Sequence, residues 1–262
     1  MKNMLFQLCG PIAIRSFGLF LFLSLIVVVP ALFYHPLRKR FLTEDDFYTL
    51  ICLLIGTTFI GGRLFFFLSS AESFSIVSFF CPWVGGIRVI GSLLANILGL
   101  FIWCHYKKIP FLAIADLIAL HAPLCKSIIR LGCFCAGCCY GLPSQLPWSV
   151  YYTDPESLAP LYSWIHPTQL YSSLLLFMLF ITLTLYRKAY SPPFGDIALL
   201  YLVGSSIERF SLDLLRGDCD YFTTPWLPMF TVHQWYALII GIIAFLTWSI
   251  RHTKHFFEPT VS

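Results

Sequence analysis

Charge is what this sequence has least of. Of 262 residues, 17 are Lys or Arg and 13 are Asp or Glu, so 11% are charged, against roughly 25% in soluble domains. That shortage excludes a water-facing globular surface over most of the chain. The formal net charge of +4 is small and scattered along the sequence, which excludes the concentrated basic face of a nucleic-acid binder. A small-residue cleavage site after the first apolar run is missing, so that run reads as a span rather than a removable leader. A second metal-type pair is missing as well. Cys135-Ala-Gly-Cys138 has ligand spacing, yet no other CxxC or His pair stands at a matching distance. On spacing alone no metal and no cofactor is expected.

What is present is apolar. The hydrophobic fraction is 58%, Phe occurs 26 times and mean hydropathy is +0.78. A helix needs about 20 apolar residues to cross a bilayer. Runs of that kind fall at residues 16–34, 47–68, 89–106, 111–129, 166–186, 195–212 and 233–250. The expected fold is an all-α polytopic membrane protein of about seven transmembrane helices, one integral domain over residues 1–262 with an outer-face loop at 130–165. The fourth run carries Asp116, His121, Pro123 and Lys126, which must face the bundle interior or water rather than lipid.

Basic clusters orient the bundle. Arg38-Lys39-Arg40, Lys107-Lys108, Arg187-Lys188 and the 251–254 tail follow the first, third, fifth and seventh runs. The positive-inside rule then puts the N-terminus in the periplasm and the C-terminus in the cytoplasm. Residues 83–86, the stretch Arg130-Leu-Gly-Cys-Phe-Cys-Ala-Gly-Cys-Cys-Tyr-Gly141, His166-Pro-Thr-Gln169 and Arg209 to Arg216 all fall on the outer face.

Arg63, Arg88, Arg130, Arg209 and Arg216 lie at or near outer helix ends. Any one of them reads equally as a side chain snorkelling to headgroups. Five together, beside Gly132, Gly137 and Gly141, suit an anionic phosphate ligand approached closely by backbone. Arg209, Asp213 and Arg216 share one helical face by spacing, so Asp213 also reads as the ion-pair partner that positions Arg209. The four cysteines at 133, 135, 138 and 139 read first as small structural residues, with a redox pair at Cys135 and Cys138 as the alternative. His166, His121 and His233 are the residues able to take a proton near neutral pH.

In order along the chain, Gly10-Pro-Ile-Ala-Ile-Arg-Ser-Phe-Gly18, Gly61-Gly-Arg63, Trp83-Val-Gly-Gly86, Asp116-Leu-Ile-Ala119, Arg130-Leu-Gly132 through Gly141, His166-Pro-Thr-Gln-Leu-Tyr171, Arg209, Asp213, Arg216 and Gln234 resemble the prolipoprotein diacylglyceryl transferase family. The resemblance implies a multi-pass enzyme of the bacterial inner membrane with its site toward the periplasm. It would move the diacylglyceryl group of phosphatidylglycerol onto the lipobox cysteine thiol of a preprolipoprotein, forming a thioether. Its partners would be that lipid, the lipobox signal peptide and the bilayer, with no nucleic acid. Arg130 and Arg209 match the family's two essential arginines and Gly141 the glycine closing its signature. Arg63, Arg88, Arg216 and Asp213 complete the expected substrate-binding set, with Asp213 where the family usually has Glu.

The chain departs from the family pattern at Ile90, where a His is usual, at Phe17 and Ser205 in place of tyrosines, and at Cys133 and Cys138 in place of Asn and Glu. His166 is therefore the first expectation for a catalytic base and His121 the second. Two other readings follow from the same residues: a membrane thiol–disulfide oxidoreductase using Cys135 and Cys138, and a lipid-binding homologue with impaired catalysis.

Overall fold

The computed structural model describes residues 4–9, 12–69, 75–80, 86, 88–218 and 230–257, with the backbone alone at 4–9, 12–15, 76 and 254–257. In chain order the elements are β1 (Met4–Cys9), β2 (Ile12–Arg15), α1 (Ser16–Tyr34), α2 (Pro36–Phe41), α3 (Glu44–Ser69), α4 (Ile76–Phe80), α5 (Val89–Lys107), α6 (Phe111–Ala136), β3 (Val150–Tyr151), β4 (Trp164–Ile165), α7 (Thr168–Tyr190), α8 (Asp196–Asp213) and α9 (Val232–Phe257). Among the described residues six helices are long and apolar enough to cross a membrane: α1, α3, α5, α6, α7 and α9. The protein is an all-α polytopic membrane protein. The sixth predicted run is α8, which is helical but carries Asp196, Glu208, Arg209 and Asp213.

The antiparallel pair β1–β2 and the short helices α2 and α4 fall where no element was expected. They are too short to leave a periodic signal. Helix α6 is the larger difference. It continues past residue 129 to Ala136, so Arg130, Cys133 and Cys135 are helical rather than part of a loop. The turn comes only at Gly137, whose φ of 77° is left-handed. A side chain there would also strike Ser157 Oγ.

The chain forms two compact units, Phe33–Ile114 and the remainder, Met1–Leu32 with Ala115–Ser262. In the first, α3 and α5 meet through glycines. A Cβ on Gly61 would lie 2.5 Å from the Gly91 carbonyl oxygen, so the two backbones touch, as small residues allow in lipid. Asn96 bridges the seam: Thr57 Oγ1 donates to its Oδ1 at 2.9 Å and its Nδ2 donates to Thr58 Oγ1 at 2.7 Å. At the start of α3, Thr43 Oγ1 accepts the Asp46 N–H at 3.1 Å and donates to Asp46 Oδ2 at 2.7 Å. That reciprocal cap satisfies an orphan helical donor.

In the second unit, α6 and α7 exchange hydrogen bonds through serines. Ser127 Oγ donates to the Ser173 carbonyl at 2.8 Å and Ser173 Oγ to the Ser127 carbonyl at 2.9 Å. Asp116 is buried on α6 and caps α8 from outside. Its Oδ2 accepts Gly195 N–H at 2.7 Å and its Oδ1 accepts Ala198 N–H at 2.8 Å, meeting donors that α8 leaves unsatisfied. His121 and Pro123 are also buried, whereas Lys126 is exposed, with its ammonium 5.1 Å from the Tyr201 ring centre. Helix α9 starts with Thr231 and Gln234 capping each other: Thr231 N–H donates to Gln234 Oε1 at 2.8 Å, and Gln234 N–H to Thr231 Oγ1 at 3.1 Å.

Candidate active site

Three backbone segments far apart in sequence run side by side at the end of α6. Leu142 N–H donates to Leu215 O at 2.8 Å and Gly217 N–H to Tyr140 O at 2.9 Å, while His166 N–H donates to Leu142 O at 3.0 Å. Gly141 sits in the middle strand, opposite Arg216. A Cβ on Gly141 would lie 2.5 Å from both the Cβ and the carbonyl oxygen of His166. The glycine is required because protein backbone passes there on both sides.

This sandwich brings α6, α7 and α8 around one pocket, lined by Arg130, Cys139, Thr168, Gln169, Ser172, Glu208, Arg209, Leu212 and Arg216. With its mouth and the open solvent there it spans about 220 Å³. That is too small for a whole lipid.

Positive charge is concentrated and organised there. Asp213 is buried, and its Oδ1 lies 3.2 Å from Arg209 Nε and 3.3 Å from Arg216 Nη1. Its Oδ2 accepts Thr231 Oγ1–H at 3.2 Å. Helix α8 ends at Asp213, so Arg216 reaches the carboxylate from the following turn and not from the helical face that its spacing suggested. Arg216 Nε also pairs with Asp218 Oδ1 at 2.9 Å. Among the described residues, the terminal nitrogens of Arg209 and the whole guanidinium of Arg130 have no protein hydrogen bond or ion pair. Both are half-buried and line the pocket. Desolvated, unpaired guanidinium groups call for an anion.

Two lining groups were not singled out in the sequence. Glu208 is buried and accepts a hydrogen bond from Ser172 Oγ through Oε1. Its signal was available: a carboxylate in an apolar helix, adjacent to Arg209, is expensive unless functional. Gln169, only 1% exposed, donates from Nε2 to Cys138 O at 2.8 Å, and its Oε1 is buried with no hydrogen-bond partner among the described residues.

Other candidates lie elsewhere. His166 Nδ1 is 3.5 Å from Tyr171 Oη, which in turn accepts Trp148 Nε1–H at 2.6 Å. His166 is not among the pocket-lining residues. His121 Nδ1 lies 2.9 Å from the Leu117 carbonyl one helical turn back. Arg63 belongs to the other unit and is fully buried there. Its Nε donates to Phe79 O at 3.1 Å, its Nη1 to Gly86 O at 3.2 Å and its Nη2 to Ser78 O. Arg88, in the same unit, is exposed and precedes α5, its N–H donating to Gly62 O at 3.1 Å. Trp83, Val84 and Gly85 of the expected Trp-Val-Gly-Gly motif, with Gly10 and Pro11, lie outside the described residues.

The cysteines sort unexpectedly. The sulfurs of Cys133, Cys138 and Cys139 lie within 4.8 Å of one another. Cys135 is not part of that group. Hydrogen bonds from Cys133 and Cys138, with Arg130 and Arg216 behind them, hold the Cys139 thiol far below the ordinary thiol range. The Cys133 and Cys139 sulfurs, then burial, push Cys138 far above it.

A family model for prolipoprotein diacylglyceryl transferase matches residues 3–250. The chain belongs to that family. Among similar members, the phosphatidylglycerol–prolipoprotein diacylglyceryl transferase of Clostridium tetani is 30% identical over 94% of this chain and 97% of its own length. The enzyme of the same name from Parasynechococcus marenigrum is 30% identical over 82% and 80%, and that from Thermotoga maritima 31% over 78% and 73%. In this diacylglyceryl transferase family member, the pocket lined by Arg130 and Arg209 is the feature to which a chemical role can be attached.

Proposed function

We infer that this chain is a membrane transferase that moves the diacylglyceryl group from phosphatidylglycerol to a prolipoprotein. The acceptor is the thiol of a lipobox cysteine, and the product a thioether. The reaction takes place at the periplasmic face of the bacterial inner membrane, the orientation that the basic clusters support. The observation that carries the reading is one pocket lined by the Arg130 guanidinium and by Arg209, whose terminal nitrogens, like Arg130, have no protein partner among the described residues. Together they form a fork for the phosphodiester of an anionic lipid.

Attack by the thiol sulfur on the glyceryl carbon breaks a C–O bond and sends its electron pair to the phosphate. Arg130 and Arg209 stabilise the charge that develops there. Asp213 fixes Arg209 and Arg216 in place. The thiol must shed its proton to attack well. Glu208, whose Oε1 is already held by Ser172, offers its second oxygen to that proton and passes it to the departing glycerol phosphate. His166, beside Tyr171, is given no part in this step because it does not line the pocket. In the other unit, Arg63 pins Ser78, Phe79 and Gly86 to α3, and the exposed Arg88 is available to meet a headgroup.

Purified chain in micelles with radiolabelled phosphatidylglycerol and a lipobox peptide tests this. Label should appear on the cysteine peptide and not on the same peptide with serine. Label on neither peptide, in a preparation that binds the lipid, would leave the lipid-binding homologue as the correct reading.

A further inference from the structure

Four residues separate Cys133 from Cys138, and Cys139 follows directly, a pattern that no CxxC rule detects. Cys133 projects from the last turns of α6. The left-handed turn at Gly137 then folds the chain back, and Cys139 itself takes φ 59°. That conformation costs a non-glycine residue about 1–2 kcal/mol, so the surrounding structure must impose it. It does so through three bonds. Gln169 Nε2 donates to Cys138 O at 2.8 Å, Thr168 Oγ1 to Cys139 O at 2.7 Å, and Cys139 N–H to Asp218 Oδ2 at 3.0 Å. The result is three sulfurs within 4.8 Å of one another. Zinc–sulfur bonds of about 2.3 Å place sulfurs roughly 3.8–4.0 Å apart. Small side-chain rotations would close the difference.

We propose that these three thiols bind a zinc ion whose fourth position is open to the pocket and takes the thiol of the acceptor peptide. The second half of this statement rests on the transferase reading; the first does not. Three protein ligands with one open position is the arrangement of catalytic rather than structural zinc, and thiolate ligands select soft ions. The open position is directed by Cys139, which lines the pocket with Arg130, Arg209 and Arg216. Charge also fits. Three thiolates and a dication sum to one negative charge, and a fourth thiolate makes two, balanced by the adjacent arginines. Gln169 Oε1, buried on the pocket wall with no hydrogen-bond partner among the described residues, is placed to accept an N–H from the incoming peptide.

The step balances. The acceptor S–H bond breaks as sulfur takes the fourth position, and the proton goes to the Glu208 carboxylate. Sulfur then forms a bond to the glyceryl carbon while the C–O bond to phosphate breaks. The proton on Glu208 leaves with the glycerol phosphate. The thioether product is a neutral, weaker ligand and departs.

Cobalt(II), a spectroscopic stand-in for zinc, tests the site in the reduced full-length chain in micelles. The expected result is one equivalent of cobalt with a thiolate-to-metal absorption band, displaced by zinc. Cys133→Ser and Cys139→Ser should lower that absorption at least tenfold, and Cys135→Ser should keep it. A cysteine acceptor peptide should shift the cobalt d–d bands, and its serine version should not. Transfer should fall at least tenfold after chelation and return with zinc. Wild-type chain that binds no more cobalt than the triple Cys→Ser variant overturns the proposal, as does a Cys133–Cys138 disulfide in the active protein. If transfer continues without metal, the acceptor role of the zinc falls and the transferase stands. If cobalt binds the three cysteines but no diacylglyceryl moves with any metal, the transferase reading and the acceptor role fall together.

Discussion

Asp213 Oδ1 lies 3.2 Å from Arg209 Nε, one helical turn away, and the carboxylate is fully buried while the arginine is about a quarter exposed. The pair does not neutralise the pocket. It takes one nitrogen of Arg209 and leaves the other two without a protein partner among the described residues. Asp213→Asn should therefore loosen Arg209 and Arg216 together and lower transfer by about tenfold to a hundredfold. Asp213→Ala should also cost about 3 kcal/mol, the scale of breaking a buried ion pair from one side. Denaturant unfolding in micelles, beside the transfer assay, separates the two effects.

Glu208→Gln should reduce turnover by roughly 10²–10³, the range for loss of a general base, while phosphatidylglycerol binding persists. Residual activity should climb with pH as the acceptor thiol ionises unaided. Glu208→Asp should restore part of the rate. Equal loss of lipid binding and turnover would instead make Glu208 a counter-charge for the arginines.

Asp116 makes a contrasting prediction because it lies outside the pocket. Asp116→Ala strands the Gly195 and Ala198 N–H groups at the start of α8. A stability loss of about 2 kcal/mol is expected from unsatisfied buried donors. Transfer per folded molecule at low temperature should stay within twofold of the wild-type rate.

Gly141→Ala should be far worse than an ordinary loop substitution. The added carbon would press on His166 from 2.5 Å, and overpacking of this kind costs about 1–3 kcal/mol. The strand sandwich carries Arg216 and leads to Thr168, so transfer should be lost with the packing. His166→Ala should recover little, because the Cβ and the backbone oxygen of residue 166 both remain.

Much of this was legible in the sequence, for identifiable reasons. Apolar runs of membrane-spanning length located the long helices, and α1 begins and ends where its run does. That Arg130 and Arg209 belong to one site was an expectation of residue type, position and family resemblance, and both line the same pocket. What could not be read depends on contacts between distant segments. The pairing of 140–142 with 164–166 and 215–217 is made by backbone and has no periodic signal. The cysteines misled because spacing drew attention to Cys135 and Cys138, whereas the turn at Gly137 brings Cys133 to Cys138 and Cys139. Glu208 was hidden by its neighbour, since Arg209 carried the resemblance. Asp116 was read as facing inward, and the structure supplies its reason: it caps a neighbouring helix.

In the proposed mechanism Arg130 meets the lipid phosphate. The direct measurement is transfer of labelled diacylglyceryl to a cysteine lipobox peptide by Arg130→Ala and Arg130→Lys, with folding verified by unfolding curves. Arg130→Ala should lose at least about a hundredfold in rate, as for removal of one donor to developing charge. Arg130→Lys should recover only a small part, because a single ammonium cannot reproduce the fork. Unchanged transfer by a folded Arg130→Ala variant would contradict the account.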